Sequence, residues 1–296
     1  MTKLNLLSLI GHTPLINLDL GIPRAKILAK LETHNLTGSI KDRMALFMLE
    51  AARKRGKLKP GATIIEATTG NTGIAFSALA KIFGYKMIAV MTANQTLERV
   101  KMMRAFGAKI ILTPESVGIA GAIKTRNQLA QKIPHSWIPG QFDNPDNLLA
   151  HQRFTGPEIY HQLKNTSVDY LIHGIGTGGT LIGIAQYLKK KLPRLKIVAV
   201  EPLESPVLSG GQPGSHNIAG IGEGFIPSIV DIKIIDQVIK VSTMQAIKES
   251  NQLALKGLLV GYSSGANIAA IKKLTRSNKT AKTYLTIFAD RGERYL

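Results

Sequence analysis

The chain has 296 residues, no cysteine and a formal net charge of +19. That length suits one large or two modest domains. The missing thiol excludes disulfides, thiolate metal sites and a cysteine nucleophile, and no apolar run reaches the ~18 residues of a membrane span.

The first residues, MTKLNLLSLIGHTP, carry one lysine, a short apolar stretch and no small-residue cleavage site. They make a poor signal peptide, so a cytoplasmic location is expected. KILAKL (26–31) is the first apolar strand, and HNLTGSIKDRMALFMLEAARKRG (34–56) carries a helix over 41–54. Lys41 falls in the first turn of that helix, where the dipole disfavours a cation. A lysine so placed is inclined to lose its proton, which suits imine chemistry; a plain surface lysine is the alternative. The strand TIIEA (63–67) then runs into TTGNTG (68–73) and a helix over 72–83. Backbone N–H groups, two glycines and three threonines at a helix N-terminus favour a small carboxylate beyond what capping requires.

KMIAVM (86–91), a helix over 96–106, KIILT (109–113) and a helix over 118–132 continue the rhythm. PGQFDNPDNLL (139–149) marks a crossover between two such sets. The second set holds the strands YLIHGI (170–175), KIVAVE (196–201) and TYLTIF (283–288), with helices over 178–191, 243–256 and 264–273. Strands alternating with helices predict an α/β fold of parallel sheets covered on both faces. The stretch 202–235, rich in Gly, Pro and Ser, is the least regular and is expected to lie over a site. The densest basic clusters, RKRGKLK (53–59) and KKK (189–191), fall at helix ends with no interleaved aromatics. They read as solvated surface, with no nucleic acid and no membrane partner, although a basic binding module is carried as a rival.

Two further turns hold glycine-rich junctions. HGIGTGGTLIG (173–183) suits a phosphate, with Thr177 and Thr180 as donors, and lacks the Lys-Ser/Thr pair of a Walker loop. It also matches G-x-G-x-x-G at Gly174, Gly176 and Gly179, with Glu201 ending the next strand, so a nicotinamide oxidoreductase stays open. LLVGYSSGANIAA (258–270) matches G-x-S-x-G at Gly261, Ser263 and Gly265. A hydrolase needs a later histidine, and the last is His216, so that order fails.

Taken together, in order and over nearly the whole chain, these segments resemble the pyridoxal-phosphate β-family, and within it the O-acetylserine sulfhydrylase and cystathionine β-synthase branch. IGHTPL (10–15), GSIKDR (38–43), TTGNTG (68–73), QFDNPDN (141–147), TGPEI (155–159), GIGTGGT (174–180), GIGEGFIP (220–227), SSGA (263–266) and RGERYL (291–296) carry the resemblance. It implies two domains with mostly parallel twisted sheets (fold type II): a smaller mobile one over 40–144, and a larger one over 1–39 and 145–296. It implies pyridoxal 5'-phosphate on Lys41 as a Schiff base, with Asn71 on the phenolic oxygen and Ser263 on the ring nitrogen. Gly176, Thr177, Gly178, Gly179 and Thr180 would hold the phosphate. Thr68, Thr69, Gly70, Thr72 and Gln141 would grip the substrate carboxylate, with Gly220 in the flexible active-site segment. The implied reaction forms L-cysteine from O-acetyl-L-serine and sulfide through an α-aminoacrylate, with Lys41 as general base. A homodimer and a serine acetyltransferase partner are implied in the same way.

Two residues depart from the resembled pattern. Thr69 stands where a serine is usual, and its extra methyl narrows the pocket. Glu223 stands where a small residue is common. If it faces the cofactor, a carboxylate there fits a cysteine-degrading lyase that releases sulfide. An outward Glu on a mobile segment is the other reading of that residue, and cystathionine formation is the other alternative on this fold. A haem-regulated cystathionine synthase is not expected.

Overall fold

The computed structural model describes residues 5–296. The chain divides into two units: residues up to Ile40 together with Leu148–Leu296, and Lys41–Asn147. The resemblance put the boundaries at 40 and 145. Ile40 stays with the larger unit because its N–H donates to Ala289 O at 2.8 Å. Residues 145–147 stay with the smaller one: Asp146 takes a two-pronged bond from Arg55 (2.6 and 2.9 Å) and Asn147 Nδ2 donates to Gln141 O at 2.8 Å.

The larger unit contains β1 (Leu15–Leu18), β2 (Ala25–Leu31), β7 (Tyr170–Gly174), β8 (Lys196–Pro202), β9 (Gln237–Val241) and β10 (Lys282–Phe288). They form one sheet in the order β1-β2-β10-β7-β8-β9. Only the β1–β2 pair is antiparallel. Successive residues of a strand point to opposite faces. Ile172, Val198 and Val200 join α8 (Thr243–Ala254) and α9 (Tyr262–Ser277) in one core. Leu171, Ile197 and Ala199 join α6 (Gly156–Leu163) and α7 (Gly179–Lys191) in the other. Burial on both faces explains why these strands read as continuous apolar runs. A capping box of Ser242 and Gln245 starts α8, a device worth about 1 kcal/mol.

The smaller unit contains α1 (Lys41–Lys54), β3 (Thr63–Ala67), α2 (Asn71–Phe83), β4 (Lys86–Thr92), α3 (Leu97–Ala105), β5 (Lys109–Thr113), α4 (Gly118–Lys132) and the two-residue β6 (Ser136–Trp137). Its sheet, β5-β4-β3-β6, is all parallel. Ile65, Ala67, Ile88 and Val90 pack with Ala122, Ile119 and Ile123 of α4. The expected helix over 72–83 starts one residue earlier, and that over 96–106 is shorter by one residue at each end.

Three strands and one helical stretch escape the sequence rhythm. β1 is four residues long, β6 two, and β9 has a mixed burial pattern. The helical stretch runs through α5 (Pro145–Ala150), a π-helical turn (His151–Thr155) and α6. The irregular 202–235 stretch holds only short 3-10 turns at Val207–Ser209 and Ile232–Ile234.

Candidate active site

In the smaller unit, the 68–73 turn joins the fully buried β3 to α2. Thr68 Oγ1 accepts from Gly70 N at 2.9 Å and Gly73 N at 3.1 Å, so one hydroxyl both shapes the turn and caps the helix. Gly70 has φ 152°, open to glycine alone, and a Cβ there would lie 2.4 Å from Arg99 Cδ. Arg99, buried on α3, donates to Thr69 O at 3.2 Å and Gln95 Oε1 at 3.0 Å. A cation thus underlies the turn where the helix dipole already favours an anion.

Gln141 lies across the same turn. Its Oε1 accepts from Thr72 Oγ1 at 2.6 Å, and its Nε2 donates to Ala67 O at 2.9 Å. An amide nitrogen has a second N–H, which remains for a ligand. Thr68, Thr69, Gly70, Asn71, Thr72 and Gln141 therefore gather around one helix N-terminus. Lys41 opens α1 of the same unit.

Behind Gln141 stands a buried ion pair. Glu66 Oε2 accepts from Gly140 N at 2.8 Å and Gln141 N at 3.2 Å; Oε1 accepts from Ala67 N at 2.8 Å and Arg126 NH1 at 3.0 Å. Glu66 is 0% exposed and Arg126 6%. Burial pushes the Glu66 carboxyl above the usual carboxylate range, while Arg126 and the backbone donors pull against that rise.

In the larger unit, the 174–180 turn joins β7 to α7, and Thr177 and Thr180 are buried within it. A Cβ on Gly176 would lie 2.2 Å from Gly220 O, and Gly222 N donates to Ile175 O at 2.9 Å. The 220–222 segment is thus seated on the glycine turn, and only glycine permits that approach. His216 Nε2 lies 2.8 Å from Gly222 O, and its Nδ1 accepts from Ile218 N at 3.2 Å, which fixes Nε2 as the protonated nitrogen. His151, on the π-helical turn, sits with Nε2 3.3 Å from Thr180 Oγ1 and Nδ1 3.0 Å from Thr155 Oγ1.

Ser263 is the second residue of α9. Gly261 N donates to Asp290 O at 3.1 Å, just beyond β10. Ile40, the residue before Lys41, is bonded to Ala289 at the same strand end. β10 and β7 are adjacent and parallel. The start of α9, the chain leading to Lys41 and the glycine turn all meet the carboxyl edge of this strand pair, the edge where open α/β sheets bind ligands.

The rival sequence readings lose their supports. Glu201 does not wait for a ribose: its carboxylate is 2% exposed and accepts from Leu208 N at 2.8 Å and from the Ser209 hydroxyl. Ser263 lies within a helix that no named strand leads into, which is not a nucleophile elbow. Among the described residues no cluster of metal-ligating side chains occurs. Glu66, Arg99, Arg126 and His151 were not singled out from sequence. The one local signal was a carboxylate inside the apolar strand TIIEA.

The pyridoxal-phosphate dependent enzyme family matches residues 6–290. The chain is 43% identical over 297 residues to a cysteine synthase of Staphylococcus aureus, covering 99% of this chain and 95% of that protein. Among solved structures, it resembles a hydrogen sulfide-producing enzyme of Fusobacterium nucleatum with a TM-score of 0.94 and 38% identity, covering 98% and 99% of the two chains. An O-acetylserine dependent cystathionine β-synthase of Helicobacter pylori gives 0.93 and 40%, covering 100% and 98%. With two glycine–threonine turns at helix N-termini and near-complete coverage by these relatives, the chain belongs to the pyridoxal-phosphate dependent enzyme family.

Proposed function

We propose that this enzyme forms L-cysteine from O-acetyl-L-serine and sulfide by β-replacement. The observation that carries the reading is the 43% identity to a cysteine synthase across 99% of the chain. The residues present fit the cofactor. A cradle that a single Cβ at Gly176 would fill lies beside two buried threonine hydroxyls at the start of a 13-residue helix. Gly176, Thr177, Gly178, Gly179 and Thr180 would hold its phosphate, Ser263 its ring nitrogen, Asn71 its phenolic oxygen and Lys41 its aldehyde carbon. When bound, the cofactor supplies a sink for negative charge at the amino acid's Cα.

The protein's own part is to bind, orient and move a proton. Thr68, Thr69, Gly70, Thr72 and Gln141 grip the substrate carboxylate, with Arg99 beneath the turn adding positive potential. The Lys41 amine takes the Cα proton, acetate leaves Cβ, sulfide adds there, and Lys41 returns the proton. Ser263 would offer the ring nitrogen a neutral hydroxyl, which would temper the sink and favour chemistry at Cβ. Gly220 belongs to the segment seated on the glycine turn. In this reading the smaller unit carries the substrate turn and the larger unit carries the phosphate turn. By the same resemblance the enzyme works as a cytoplasmic homodimer with serine acetyltransferase as a partner. Among the described residues no helix is long and apolar enough to cross a membrane.

A second reading has one observation behind it. Glu223 follows directly on the 220–222 segment that rests against the glycine turn. A carboxylate there suits release of sulfide from cysteine. Three assays on one preparation separate the readings: acetylserine with sulfide, cysteine alone, and serine or acetylserine with homocysteine. The first is expected to give the highest kcat/KM. A preparation that makes sulfide from cysteine but no cysteine from acetylserine would overturn it.

The cradle itself has a simple test. Gly176→Ala is expected to force the 220–222 segment away and to lower cofactor affinity at least about tenfold. Violet absorbance retained through gel filtration measures this directly. Full retention would show that the turn does not hold the cofactor.

A further inference from the structure

Glu66 and Arg126 belong to no motif, lie outside the residues expected to touch ligand, and are almost completely buried. Two buried charges are costly to keep, and an apolar pair of similar volume is often as stable. Packing alone does not account for such a pair. The bonding pattern shows what they hold. Both oxygens of Glu66 accept twice, and two of the four donors are the consecutive N–H groups of Gly140 and Gln141. Asn147 Nδ2 grips the Gln141 carbonyl at 2.8 Å. The Gln141 backbone is thus fixed on both sides, and its side chain has only to turn to reach Ala67 O and Thr72 Oγ1.

We infer that Glu66, charge-balanced by Arg126, is a positioning residue: it fixes the 140–141 backbone so that the Gln141 amide meets the substrate carboxylate. This rests on the reading of the 68–73 turn and Gln141 as the carboxylate site. A carboxylate is the side chain that can accept all four donors at once. Glutamine at position 66 keeps the shape but must turn an NH₂ group toward either the Gly140 and Gln141 N–H groups or the Arg126 and Ala67 donors. The 140–141 backbone then loses its anchor although the core keeps its volume.

The test is made on the holoenzyme. E66Q is expected to raise KM for O-acetyl-L-serine about tenfold with kcat within about threefold, and to weaken calorimetric binding of L-alanine by the same factor. Cofactor content and visible spectrum are expected to match wild type. E66D keeps the charge but draws it back by one methylene, so its rise is expected to be smaller, about threefold. It serves as the working variant if E66Q does not fold. In a Q141A background, E66Q or E66D is expected to add less than about twofold, because its effect runs through Gln141. An unchanged KM and L-alanine affinity in these variants would overturn the inference. So would an effect that persists undiminished in Q141A. A wild-type enzyme that neither binds L-alanine nor converts acetylserine would instead overturn the carboxylate-site reading itself.

Discussion

Lys41→Ala is expected to lower kcat/KM for acetylserine by at least about a thousandfold, since one amine serves as both covalent anchor and proton carrier. A positioned general base alone contributes about 10²- to 10⁴-fold. Ile40 is pinned to Ala289 and Lys41 is the next residue, so the fold sets where this amine begins. Borohydride reduction followed by proteolysis and peptide mass mapping reads the anchor independently of turnover. Wild type is expected to carry a reduced phosphopyridoxyl adduct on the peptide containing Lys41, and the variant to carry none. A variant that still fixes the cofactor and turns over within about tenfold of wild type would remove Lys41 from the centre of the mechanism.

The second large effect is on stability. Arg126→Met is expected to cost about 3–5 kcal/mol at neutral pH, because it strands a buried carboxylate. The cost depends on pH with a definite sign. Burial already raises the Glu66 carboxyl in the folded state, and Arg126 is the charge that opposes the rise. Without it the folded carboxyl binds its proton more tightly than the unfolded one. Stability then falls as pH climbs from the unfolded value near 4.3 through the raised folded value. Below that window the carboxyl is neutral in both states and much of the penalty disappears. Urea unfolding at about pH 5 and about pH 8 should therefore show a wider gap from wild type at the higher pH. An equal gap at both would mean that Glu66 is not the group left stranded.

Much of the architecture is legible in the amino-acid order, and the omissions have physical causes. Parallel strands buried on both faces are continuous apolar runs, so KIVAVE and TIIEA declare themselves. β6 is two residues long, too short for any period to register. The stretch from Pro145 to Leu163 hides its helices behind Asn144, Gly156 and Pro157, and a π-helical turn shifts its period midway. The glycine–threonine turns are legible because turn chemistry is local. Glu66 and Arg126 are 60 positions apart in sequence, and His151 and Thr180 are 29 apart. Nothing in either neighbourhood announces the other.

The strand order carries a consequence for how the molecule is made. β10 is the last strand in the chain, yet it lies between β2 and β7 in the middle of the six-stranded sheet. While β10 is still inside the ribosome, β2 and β7 have no shared neighbour and the larger sheet stays split. The smaller unit needs only the contiguous segment Lys41–Asn147. It is free to fold during synthesis, whereas the larger unit can complete its sheet only once β10 has emerged.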